Sequence, residues 1–166
     1  MSNVAKPVKF IGFFSIVAGI ILVLTGGIVW GAVITPQLAA EKIVVSKDAP
    51  FAAGDDVNGP ISAFAQAEVI KMHALAGAEN MTYAQLGTKI NEAKAAKNDA
   101  DVKKYTDMRT SAMNGSFLRA SLFTSVLSYG VCAFAMGMGL VLGAVGFSLT
   151  KVASALETLP AAKDVA

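Results

Sequence analysis

Residues 10–34 read FIGFFSIVAGIILVLTGGIVWGAVI, without a single charge, and their reading decides the fold. At ~1.5 Å of rise per residue this stretch covers ~37 Å as a helix, enough to cross a hydrocarbon core of ~30 Å with some tilt. Thr35-Pro36 follows, and proline is expected to end the helix, because it lacks an N–H and disfavours helical geometry in the residue before it. A signal peptide has a shorter apolar region. The segment is therefore expected to be retained, although Lys6, Lys9 and Leu38-Ala39-Ala40 mimic a signal's flanks.

A second apolar stretch runs from Phe117 to Leu149, charge-free from Ala120 to Thr150. It is longer than a bilayer requires, so its helix should tilt strongly or project beyond one face. The expected fold is an all-α membrane protein, a two-transmembrane-helix hairpin with a mostly helical extracytoplasmic domain. Its parts are a cytoplasmic N-terminus (1–9), the first span (10–35), the extracytoplasmic domain (36–115), the second span (116–150) and a cytoplasmic tail (151–166). Lys6 and Lys9 before the first span, and Lys151 after the second, favour both termini in the cytoplasm of a multi-pass plasma-membrane protein. The nine Lys/Arg and ten Asp/Glu between Pro36 and Leu118 leave the middle region nearly neutral. Arg119 dissents at the external end of the second span, where it can snorkel to the interface. Trp30 suits an aromatic anchor.

Helices in lipid associate through close backbone packing, so small residues at helical spacing mark contact faces. Gly12, Gly19 and Gly26 recur every seven residues, with Ser15 on the same face; Gly27 and Gly31 form a second small pair. The second span carries Ser121, Ser125, Ser128, Cys132, Ala135, Gly139, Gly143 and Gly146 in steps of three and four. One such face is expected to join the two spans. Gly27 and Gly31, or Gly130 and Gly137, would remain for an outside partner.

In the middle region, Ile43-Val44-Val45 reads as a short extended segment and DAPFAAGDDVNGP as a loop. Pro60 opens a helix from about Ile61 to Ala76, with Asn58 or Gly59 near its cap. Its apolar face is read as Ile61, Phe64, Ala65, Met72 and Leu75, with Glu68 in the middle. Either the face is only partly buried, or that carboxylate pairs with a nearby Lys or Arg, or else it anchors a partner. Thr82 and Gln85 form a capping box that opens a helix at Tyr83. Lys89 to Asp107 reads as solvated helix broken near Asn98-Asp99, with Val102, Tyr105 and Met108 or Arg109 as a thin apolar face. Such a domain has little core of its own, so it is expected to pack on a neighbour.

The chemical inventory is short. No P-loop, dinucleotide fingerprint, HExxH or nucleophile elbow occurs. His73 is the single histidine and Cys132 the single cysteine, within the second span, so no zinc set or internal disulfide forms. Copper on Met72, Met81, Met108 and Met113 is the weaker reading beside methionine as core filler. No basic patch interleaved with aromatics points to nucleic acid. The expectation is no catalytic residue, no cofactor, no metal and no enzyme activity.

The segments KFIGFFSIVAGIILVLTGGIVWG, LAAEKIVV, GPISAFAQAEVIKMHAL, TYAQL and MNGSFLRASLFTSV carry a resemblance across most of the chain. They resemble small two-span actinobacterial membrane proteins that go by the label "aromatic ring-opening dioxygenase, LigA". TKINEAKAAKNDADVKKYTD looks like an expansion of that pattern. A non-haem iron oxygenase centre needs two histidines and a carboxylate, so the resemblance implies architecture and lends no catalytic residue. By size, topology and lineage the chain is also similar to accessory subunits of the actinobacterial cytochrome bcc–aa3 respiratory supercomplex. The functional expectation is a non-catalytic accessory or assembly subunit of such a complex. Its partners would be larger integral membrane subunits, including haem-containing ones, and membrane lipid. The alternative expectation is a cell-envelope protein that binds a lipid or cell-wall component through its extracytoplasmic domain.

Overall fold

The computed structural model of the chain describes residues 2–158, without the side chains of Ser2 and Asn3. Most of the expected cytoplasmic tail, residues 159–166, and Met1 lie outside the described residues. Among the described residues every regular element is helical. They are α1 (Ser2–Ile28), a π-helical turn (Val29–Ile34), α2 (Thr35–Ala40), α3 (Pro60–Gly77), α4 (Tyr83–Ala95) and α5 (Asp99–Thr158). Two helical runs, Val4–Ala40 and α5, are long and apolar enough to cross a membrane.

Pro36 does not stop the first helix. The π turn hands over to α2, and Pro36 sits in the first turn of that new helix. There its missing N–H would have had no intrahelical partner in any case. The short extended segment Ile43–Val45 carries an isolated antiparallel bridge between Val44 and Asp56.

The chain divides into two compact units, residues 1–33 with 130–166, and residues 34–129. In the first, α1 and the later part of α5 run antiparallel along a seam of small residues. A methyl group built on Gly19 would lie 2.5 Å from the Gly139 carbonyl oxygen, and one on Gly12 would lie 2.8 Å from that of Gly146. One on Gly26 would meet Met136 Cγ at 2.7 Å and the Cys132 carbonyl oxygen at 3.0 Å. The pairs advance seven residues on one helix as they retreat seven on the other, the step of a left-handed coil. Ala5 and Ala153, both fully buried, continue the same step. A Lys9–Glu157 ion pair of 3.2 Å spans the same two helices. The large apolar side chains point away from the seam: Phe10, Phe13, Leu24, Phe134, Leu140 and Phe147 are exposed. A continuous apolar exterior of this kind suits lipid rather than water.

The second unit packs α2, α3, α4 and the first part of α5 around a small core. It reaches Tyr129, well past residue 115, so residues 116–129 of the expected second span pack within it. α3 begins after Gly59, whose extended backbone caps it, with Ser62 Oγ accepting from Gly59 N at 3.3 Å. The buried side of α3 matches the expected face at Ala65, with Leu75 half-buried, and departs from it at the other large residues. Ser62, Ala63, Ala65, Ala67 and Val69 are buried, while Ile61, Phe64 and Met72 are exposed. Small side chains let α5 come close, and at Gly115 an added methyl group would lie 3.0 Å from Ala74 Cβ. α4 starts at the Thr82–Gln85 capping box. Asn98, whose Oδ1 accepts from Asp101 N at 3.2 Å, begins α5 after the expected break. Leu86, Ala78 and Ala112 form a cluster with Met81, Tyr105 and Met108 packed on it. Two of the four methionines considered for copper are thus core filler; Met72 and Met113 are exposed.

Candidate functional site

The small-residue stripe on α5 serves two different ends. Cys132, Gly139 and Gly146 make the seam with Gly26, Gly19 and Gly12. Gly143 meets it through its backbone nitrogen, 2.9 Å from a methyl group built on Gly19, while its own added methyl would touch nothing within 4 Å. An apolar groove of ≈ 390 Å³ opens there, between Ile20, Leu24, Leu140 and Gly143. Gly27, Gly31, Gly130 and Gly137 likewise face open space. These positions remain small after the hairpin has closed.

Ser121, Ser125 and Ser128 lie before the seam and instead line a cavity of ≈ 630 Å³ within the second unit. Its apolar side is Ile34, Leu38, Ile43, Ile70, Leu118 and Leu122. Its polar side adds Gln37, Glu41, Gln66 and Thr124 to the three serines. The cavity exists because serines stand where larger side chains would have filled the space between α2, α3 and α5.

Three contacts hold its frame. Tyr129, 1 % exposed, donates its hydroxyl to the Asn58 carbonyl at 3.2 Å. With that proton committed, the Thr35 hydroxyl at 2.9 Å is the donor to Tyr129 Oη. Tyr129 so ties α2, the loop before α3 and α5 together. Gln66 Oε1 accepts from Ser46 N at 3.0 Å, pinning the loop to α3. A buried tyrosine hydroxyl requires such partners, and Tyr129 is the residue that reading the stripe for smallness alone passes over. Gln37, Glu41 and Gln66 gave no sequence signal, since isolated polar residues look like ordinary surface.

One cluster of charges in this unit pairs internally. Arg119 donates Nη2 to Glu68 Oε1 at 2.8 Å and lies 4.9 Å from the Phe123 ring, so it pairs within the chain. Lys71 stands 3.7 Å from the other oxygen of Glu68. The hydrogen bond from Arg119, helped by Lys71 against the cost of burial, holds the Glu68 carboxyl below its ordinary range. Beside this pair Phe51 stacks on Phe64, with ring centroids 6.1 Å apart, and Phe64 meets Phe123 edge to face at 5.6 Å. His73 Nε2 is 2.6 Å from Asp48 Oδ2, and that bond, with a second from Ser46, lowers the Asp48 carboxyl to about 2.

Among the described residues no three His, Cys, Asp or Glu side chains gather where they could hold a metal ion. Compared with models of known families, with curated proteins and with solved structures, the chain matches none of them.

Proposed function

We propose that this chain is a membrane-anchored, non-catalytic subunit that assembles with larger integral membrane proteins. Its spans lie within residues 10–35 and 116–150. The region between them lies outside the plasma membrane, and both termini are cytoplasmic. The observation that carries the reading is the set of outward glycines, Gly27, Gly31, Gly130 and Gly137, which the hairpin leaves open. A glycine in a lipid-facing helix gains nothing from lipid, whereas it lets a partner helix approach closely. The lineage resemblance makes the actinobacterial cytochrome bcc–aa3 supercomplex the preferred partner. Native mass spectrometry after mild-detergent purification tests this. The expected species contains this chain with a haem-bearing complex; a chain found only as a free monomer or homo-oligomer removes the proposal.

A second reading, the handling of an envelope lipid, is favoured by the ≈ 630 Å³ cavity. The two readings are compatible, since a subunit can carry a lipid to its complex.

A further inference from the structure

The cavity between α2, α3 and α5 has a lining that selects among ligands. Its volume of ≈ 630 Å³ is in the range of small-molecule sites rather than of single buried waters. Its hydroxyls are of two kinds. Thr124 donates to the Ala120 carbonyl at 2.9 Å and Ser128 to the Thr124 carbonyl at 2.8 Å, within the helix. Ser121 and Ser125 have no such bond among the described residues and remain able to donate and accept.

The charge of the lining narrows the choice further. Glu41 is its one charged side chain, and no lysine, arginine or histidine lines it. A phosphate headgroup would meet repulsion there and no compensating cation. A carboxylate only accepts hydrogen bonds, so the ligand must bring donors. A quinone ring brings none. A polyol does, because each hydroxyl both donates and accepts, which suits Glu41, the amides of Gln37 and Gln66, and the free serines alike. The opposite side of the cavity, with Ile34, Leu38, Leu118 and Leu122, offers that ligand no hydrogen bond and suits an alkyl chain.

We propose that this cavity binds the sugar or glycerol headgroup of an uncharged membrane lipid, with the start of its acyl chain against Leu118 and Leu122. The proposal deepens the lipid-handling reading and needs the chain to be membrane-anchored. It does not need the partner complex, so its test uses the full chain alone.

The chain is reconstituted in nanodiscs of phosphatidylcholine and phosphatidylglycerol doped with monoglucosyl diacylglycerol, then released for native mass spectrometry. One glucolipid should stay bound, favoured over phosphatidylglycerol of equal chain length by about fivefold or more. Ser125→Leu, which removes a lining hydroxyl and intrudes into the cavity, should abolish that preference, while Ser148→Leu, outside the lining, should keep it. Glu41→Lys should invert the preference toward phosphatidylglycerol, an outcome that misfolding would not produce. Free methyl glucoside separates the sources: failure to displace the glucolipid assigns a lipid, and full displacement overturns the lipid in favour of a soluble sugar. No preference over phosphatidylglycerol, or an unchanged preference in both Ser125→Leu and Glu41→Lys, overturns the site.

Discussion

Gly139 and Gly143 lie four residues apart on α5, yet only one of them is closed to a side chain. At Gly139 an added methyl would sit 2.6 Å from the Gly19 carbonyl oxygen and 2.9 Å from Val23 Cγ2, and the first of these is backbone that cannot swing aside. Gly139→Ala would force the helices apart and should cost about 1–3 kcal/mol, the usual range for overpacking. Gly143→Ala, with nothing within 4 Å, should change stability by no more than ~0.5 kcal/mol. Denaturation in mixed micelles followed by Trp30 fluorescence checks both, and equal stability of the two variants would show that the seam does not hold. The step of seven from Gly12 to Gly26 is visible in the sequence. The pairing of each glycine is not, because antiparallel register is set by how two distant segments meet. The stripe's division between seam and cavity was hidden for the same reason: serine and glycine are equally small, and only the neighbours distinguish a contact from a gap.

Among the elements, the loop from Glu41 to Gly59 owes its place to a few polar ties. Val45 N donates to the Asp55 carbonyl at 2.9 Å and Val57 N to that of Ile43 at 2.8 Å, which folds the loop on itself. Gly54, at φ +83°, supplies the left-handed turn this folding needs. Asp48–His73 and Ser46–Gln66 then fasten the loop to α3. The Asp48 carboxyl lies at about 2 when folded against an ordinary 3.8, lowered first by its bond to His73. A depressed carboxyl stabilises fully above the ordinary value and loses that contribution as pH falls toward the folded one. Between about pH 4 and pH 2 the loop should therefore loosen from α3. Hydrogen exchange at the Ser46 amide, corrected for intrinsic rates, should show protection falling in that window, and Asp48→Asn should remove the pH dependence. Protection that stays constant in the natural chain would break the link. Caps made α3 and α4 legible beforehand: Gly59-Pro60 and Thr82…Gln85 are local signals for local structure. The buried side of α3 was legible only in part. Hydrophobicity ranks Ile61 and Phe64 above the alanines, but close approach of α5 selects for small volume.

For the whole molecule, what the hairpin leaves unused matters more than what it uses. A lone two-helix hairpin needs one seam, and Gly12, Gly19 and Gly26 with Cys132, Gly139 and Gly146 provide it. If the chain is the anchored subunit proposed above, cysteines introduced at Asp56 and Lys163 report its topology in intact cells. An impermeant maleimide should label the first and spare the second; the opposite pattern would reverse the orientation. Association makes a separate demand. Gly27 and Gly31 lie one helical turn apart with open space beside both, so leucine fits at either without disturbing the hairpin. The double change Gly27→Leu with Gly31→Leu should leave micellar stability within ~0.5 kcal/mol of the natural chain. If a partner helix packs there, the same change should cut recovery of the complex by about tenfold or more, since a close backbone approach worth ~1.4 kcal/mol or more is lost. Gly139→Ala, by contrast, should lower hairpin stability first and recovery only as a consequence. Quantitative pull-down from cells with each variant, read beside the stability measurements, distinguishes the two faces. Undiminished recovery of the double variant would mean that Gly27 and Gly31 face lipid, leaving Gly130 and Gly137 as the face through which a partner binds.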